Sequence, residues 1–145
     1  MKIGFMLPVM GAMATQENMV AMAQLAEARG FESVWVPDHV IMPTRIVSTY
    51  PYTKSGGFIA DPKGSHLDPI TSLAFVAGCT KRVRLGFSVL VAPYRHPVVT
   101  GKMMATIDVL SNGRLDVGVG AGWLNEEFEA LGVPTERKWA RTEEH

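Results

Sequence analysis

The sequence predicts an α/β fold built on a parallel sheet, and three observations carry that prediction. Strand-like and helix-like segments alternate four times from the first residues onward, the order that successive βα units produce. No two strand-like runs are joined by a tight hairpin signal such as Asn-Gly, so neighbouring strands must connect through helices. Val83 to Val91 is apolar and β-branched without strict alternation, which suits a strand covered on both faces.

In order, Lys2 to Leu7 reads as the first strand, and Thr15 caps a helix with apolar Val20, Ala23 and Ala26 that stops at Gly30. Phe31 to Val36 is the second strand and ends at Pro37-Asp38-His39. Val40 to Leu67 then carries prolines, glycines and aromatics without periodicity, and loops of that length tend to be functional. Asp68-Pro69 opens a second helix with Ile70, Leu73, Ala74 and Ala77 inward. Val83 to Val91 is the third strand. Pro97 opens the next helix, with Val99, Met103, Ile107 and Leu110 inward and Ser111-Asn112-Gly113 as its stop. Arg114 to Val119 is the fourth strand, followed by Asn125 capping Glu126 to Leu131, whose two leading carboxylates suit the positive helix end. Thr135 begins a last helix with Arg137 and Arg141 on one side.

A chain of 145 residues, 47% hydrophobic and 19% charged, can bury one real core, and no composition shift divides it, so a single domain over 1–145 is expected. Lysine plus arginine and aspartate plus glutamate balance at 14 each, which offers no electrostatic footprint for nucleic acid or an anionic membrane. Met1-Lys2 leads straight into a strand and no apolar run is long enough to span a bilayer, so a cytoplasmic location is expected. Cys79 sits in an apolar segment and reads as an inert buried thiol. None of His39, His66 and His96 falls in a ligand-spaced motif, and no metal is expected.

Between Gly113 and Pro134 a strand dissolves into Gly118, Gly120 and Gly122 before a helix begins, leaving backbone amides free for an anionic or planar ligand. A dinucleotide fingerprint fits imperfectly, because Trp123 stands where its third glycine would fall and no second strand with an acidic residue about 20 positions on follows. The glycines can equally serve tight strand-to-helix packing. Two architectures remain open at this level: a doubly wound sheet, which fits the length, and a TIM barrel, which needs about 250 residues.

Four segments read together carry a resemblance: Val34-Trp35-Val36-Pro37-Asp38-His39-Val40, Arg84 to Val91, Tyr94-Arg95-His96-Pro97, and Gly113 to Pro134. Together the chain resembles the bacterial luciferase-like monooxygenase superfamily, most closely the deazaflavin branch that uses coenzyme F420. The resemblance implies a (β/α)8 TIM barrel, with this chain holding about the first four βα units and breaking off in the fourth helix. It implies a flavin- or F420-dependent oxidoreductase that transfers hydride to, or monooxygenates, a small organic substrate. F420 is the expected cofactor and FMN the alternative.

By the same resemblance, Asp38 contacts the cofactor and His39 is the catalytic acid, both at the strand ends where βα loops gather. Ser88 and Val89 form a bulge with a non-prolyl cis peptide backing the ring, and Ala121 and Gly122 set backbone amides against it. Trp123 departs from the branch that includes a glucose-6-phosphate dehydrogenase, which has a catalytic glutamate there; here it shapes an apolar substrate wall or packs in the core. Arg95 reads as solvated. Four strands leave two open edges and an apolar inner face, so a homodimer is expected, and a catalytically silent half-barrel that pairs with itself is the alternative to an enzyme.

Overall fold

The computed structural model describes residues 1–58, 61 and 63–145; positions 59, 60 and 62 of the predicted loop lie outside the described residues. Four parallel strands, β1 (Gly4–Met6), β2 (Ser33–Val36), β3 (Arg84–Val91) and β4 (Leu115–Gly120), pair in the order β1-β2-β3-β4. Between them run α1 (Gln16–Ala28), α2 (Pro69–Cys79) and α3 (Pro97–Ser111), and beyond β4 lie α4 (Asn125–Ala130) and α5 (Lys138–Glu144).

Strand order decides between the two architectures. A doubly wound sheet reverses direction at a switch point and carries helices on both faces, whereas a barrel adds each strand beside the last and keeps its helices outside. Here the order never reverses. Val34, Val36, Leu85 and Phe87 form one face of the sheet, and they share a core with Met19, Ala23 and Ala26 of α1, Leu73 and Val76 of α2, and Ile107 of α3. All three connecting helices cover that single face, so the sheet is an arc of a (β/α)8 barrel.

Local signals explain most boundaries. The Thr15 hydroxyl accepts the Asn18 N–H at the start of α1, and the Asp68 carboxylate accepts the Thr71 N–H at 2.7 Å at the start of α2. Asn112 and Gly113 take left-handed φ of 59° and 75° and end α3. Three expectations need correction. On α3, Ile107 is buried, but Val99, Met103 and Leu110 are exposed; the covered stripe is Thr100, Met104, Ile107 and Ser111. Thr100 and Ser111 can be buried because their hydroxyls donate to the His96 and Asp108 carbonyls of their own helix, which an apolar count overlooks. Similarly, Ala74 of α2 is exposed while Ser72 and Val76 are buried. Asn125 is the first residue of α4 rather than its cap, and its side-chain oxygen accepts from Lys138 instead.

Arg114, read as the first residue of the fourth strand, is buried and spends all five guanidinium N–H groups on protein oxygens. These are the Ser111, Val83, Ala77 and Thr80 carbonyls and the Thr80 hydroxyl. The C-terminal end of α2, the entry to β3 and the entry to β4 are thereby held together. Cys79 lies nearby, half-buried, with its thiol donating to the Val76 carbonyl and burial pushing its pKa up.

The opposite face of the sheet is the barrel interior. Trp35 projects into it, with Nε1 donating to the Ser33 hydroxyl at 2.7 Å. A Cβ on Gly4 would lie 2.5 Å from Trp35 Nε1, and one on Gly86 2.3 Å from Trp35 Cε3, so the two glycines clear space on either side of the indole. Because both neighbours press on the ring, it cannot yield toward one without meeting the other. Replacing Gly86 with Ala should therefore destabilise the chain by about 1–3 kcal/mol, read as a lowered urea midpoint at unchanged slope. An unaltered midpoint would show that the indole is free to swing.

Candidate active site at the strand ends

Parallel pairing brings the C-terminal ends of the strands to one rim, where the loops after β2, β3 and β4 meet. Asp38 leaves β2 with its side chain fully enclosed, and its carboxylate accepts three hydrogen bonds. One comes from the Val91 N–H at 2.9 Å and two from Arg95 at 2.7 and 2.9 Å. The carboxylate expected to contact the cofactor anchors the end of β3. Arg95 is consequently not solvated: it forms a two-pronged pair with Asp38 and reaches Asp68 at 3.4 Å. Burial pushes its pKa down, but the two carboxylates raise it by more.

His39 follows, its side chain almost enclosed, with Nδ1 2.8 Å from Oε2 of Glu127 on α4. Glu127 has no exposure to solvent. Besides His39 it accepts the Val40 and Ile41 N–H groups on Oε1, at 2.5 and 3.1 Å, and the Tyr94 hydroxyl on Oε2 at 2.8 Å. Burial alone would raise the Glu127 pKa; hydrogen bonding and charge from His39, with Ile41 and Tyr94, outweigh it and hold the carboxyl below its usual range. Burial and the neighbouring Glu127 charge drive the Tyr94 hydroxyl far upward, keeping it protonated.

Sequence reading placed Glu126 and Glu127 together at a helix end and missed both partnerships. Glu126 accepts the Val47 and Ser48 N–H groups at 2.5 and 2.9 Å and the Ser48 hydroxyl at 2.7 Å. Two adjacent carboxylates thus fasten two stretches of the long loop after β2 to the start of α4. The loop in turn brings Tyr50 and Phe58 against Trp123, with ring centroids 5.0 and 5.1 Å away, and Phe58 also lies 5.4 Å from the His39 ring. Trp123 stands edge-on to His39 at 6.3 Å, so it belongs to an aromatic rim rather than to the core beneath the sheet.

The peptide Ser88–Val89 is cis, and the register between β3 and β4 shifts between Phe87 and Leu90, forming the expected bulge. Ser88 and Val89 are exposed there. A Cβ on Gly118 would lie 2.6 Å from the Phe87 carbonyl oxygen, and one on Gly120 2.5 Å from Val89 Cγ2. These two glycines admit the bulge. Gly122, at φ 79°, admits Phe128 of α4 and Val91, each 2.8 Å from its would-be Cβ, beside buried Ala121. Close packing thus accounts for all three glycines, and the exposed Ser88–Val89 bulge forms a ledge over Gly118 and Gly120. Among the described residues, no group of three His, Cys, Asp or Glu is disposed to hold a metal ion, and no helix is long and apolar enough to cross a membrane.

The sequence model of luciferase-like monooxygenases matches residues 1–145. The chain belongs to that family. Among its curated relatives, an uncharacterized protein of Mycobacterium tuberculosis is 37% identical over 118 residues, 81% of this chain and 42% of the relative. The oxygenase component of the flavin-dependent trigonelline monooxygenase of Acinetobacter baylyi is 31% identical over 124 residues, 86% of this chain and 29% of that protein. Among solved structures, the monooxygenase RslO1 of Streptomyces bottropensis superposes with a TM-score of 0.73 at 31% identity, over 99% of this chain and 40% of that one. Two more distant structures share the fold over 99% of this chain. One is an F420-dependent secondary alcohol dehydrogenase, with a TM-score of 0.70, 21% identity and 39% of that chain covered. The other is the oxygenating constituent of 3,6-diketocamphane monooxygenase from Pseudomonas putida, with a TM-score of 0.71, 18% identity and 36% covered. The chain spans less than half of these proteins' lengths, in keeping with its four βα units of a family barrel.

The Glu126 clasp has a measurable signature. Partial burial pushes its pKa up, but the Ser48 hydroxyl and the surrounding N–H groups more than offset this and bring it down to about 2. Because the folded value lies below the unfolded one, about 4.3, the clasp is complete above the unfolded value and is lost as pH falls through about 2. The Val47 and Ser48 amide proton shifts, followed by NMR during acidification, should titrate with a midpoint near that value. A midpoint in the ordinary carboxylate range would show that Glu126 does not hold the loop.

Proposed function

We propose that the protein supplies the catalytic rim of an F420-dependent oxidoreductase acting on a small organic substrate. The observation that carries this reading is that the Asp38 carboxylate ties the end of β2, from which His39 follows, to Val91, two residues beyond the Ser88–Val89 bulge, while Glu127 holds His39 at Nδ1. The ledge suits a planar ring because exposed Val89 offers it an apolar surface. Ser88, Val89, Ala121 and Gly122 would seat the cofactor, which when bound supplies a two-electron hydride. Asp38 holds the end of β3 in place beneath that seat through Val91 and Arg95. Trp123, with Tyr50 and Phe58, would form the apolar wall that receives the substrate and excludes water. His39 would give its proton to the substrate oxygen as hydride reaches the adjoining carbon, reducing a carbonyl to an alcohol.

FMN is the second reading, favoured by the flavin-dependent relative at 31% identity. A catalytically silent, self-pairing half-barrel is the third, favoured by the exposure of Met6 on β1 and of Val117 and Val119 on β4, the two outer strands of the sheet. Titrating the chain with oxidised F420 and with FMN, while measuring its solution mass, separates them. F420 should bind at least about tenfold more tightly than FMN, a difference of about 1.4 kcal/mol. The reverse preference would assign the flavin, and a dimer that binds neither would assign the silent half-barrel.

A further inference from the structure

The environment of Glu127 fixes more than the position of His39. An ionised carboxylate offers about four lone-pair sites, and four donors surround this one: the Val40 and Ile41 N–H groups on Oε1, and the Tyr94 hydroxyl and His39 Nδ1 on Oε2. Two of the four are backbone N–H groups, which cannot reverse their roles. With Glu127 acting only as an acceptor, a neutral His39 must carry its hydrogen on Nδ1, since a lone pair there would face a carboxylate oxygen at 2.8 Å. Nε2 is then left bearing the lone pair, and among the described residues it has no hydrogen-bond partner.

We propose that Glu127 is a positioning residue that locks His39 in the Nδ1–H tautomer, making Nε2 the nitrogen that takes up and delivers the proton at the rim. The consequence for catalysis rests on the reading of His39 as the acid; the tautomer itself does not. A carboxylate placed behind a histidine in this way orients the ring and stabilises the imidazolium when it forms.

Glu127→Gln should invert the arrangement. The two backbone N–H groups must still meet an acceptor, so the amide oxygen turns toward Val40 and Ile41 and the amide NH2 toward His39 and Tyr94. The tyrosine hydroxyl can accept, and His39 can accept at Nδ1 only by moving its hydrogen to Nε2. The tautomer should therefore switch rather than merely loosen.

The test is a long-range proton–nitrogen correlation spectrum of the whole chain with nitrogen-15-labelled histidine, recorded without cofactor at a pH where His39 is neutral. Its signals are assigned by their loss in His39→Asn. The wild type should show a protonated Nδ1, Tyr94→Phe should keep it, and Glu127→Gln should show a protonated Nε2. A wild type protonated at Nε2 overturns the proposal, as does a folded Glu127→Gln that keeps its proton on Nδ1. If Glu127→Gln does not fold, the wild-type and Tyr94→Phe spectra decide alone. Failure of the functional reading looks different: His39→Asn would then leave turnover by the cofactor-loaded protein unchanged while the tautomer assignment stands.

Discussion

Glu127 is a charge with nowhere to go. Removing a carboxylate from water costs several kcal/mol unless donors replace the lost hydration, and α4 alone cannot offer them to a side chain directed inward. The donors come from residues 39–41 after β2 and from Tyr94 after β3. Satisfying one buried carboxylate thus requires three separate rim segments to converge, and Asp38 repeats the arrangement a short distance away with Val91 and Arg95. The rim is shaped by the needs of two buried anions as much as by the packing beneath it.

That dependence explains what could be read in advance. Thr15, the Asp68-Pro69 pair and the Asn112-Gly113 stop act within a few residues of themselves, so the βα rhythm and its boundaries were legible. Glu127 and His39 are 88 positions apart, and Asp38 and Arg95 are 57 apart. Nothing local distinguishes a glutamate destined for burial from its neighbour Glu126, or a paired arginine from a solvated one. The face of α3 was misjudged for a related reason. Counting apolar residues assumes that serine and threonine stay outside, whereas Thr100 and Ser111 satisfy their hydroxyls within the helix and turn inward.

The spaced glycines after β4 carried a clear signal with several meanings. An anion cradle, a cofactor ledge and simple closeness of packing all call for residues without side chains. The distances favour packing as the immediate cause: the bulge of β3 presses on Gly118 and Gly120, and Phe128 presses on Gly122. Any part the ledge plays toward a ligand is built on that contact, because the same bulge that demands the glycines turns Ser88 and Val89 outward.

Trp35 is only partly shielded, because the ring it lies on is an arc rather than a closed circle. Its indole is held flat against the inner wall by two glycines and a serine, so its surroundings change chiefly through whatever occupies the space across from it. Of the three tryptophans, Trp139 lies on the outside and Trp123 at the rim, which leaves Trp35 as the chromophore facing the interior. Its emission colour therefore reports on the inner face of the sheet: water-shifted while that face is wet, and moving toward the blue when anything covers and dries it.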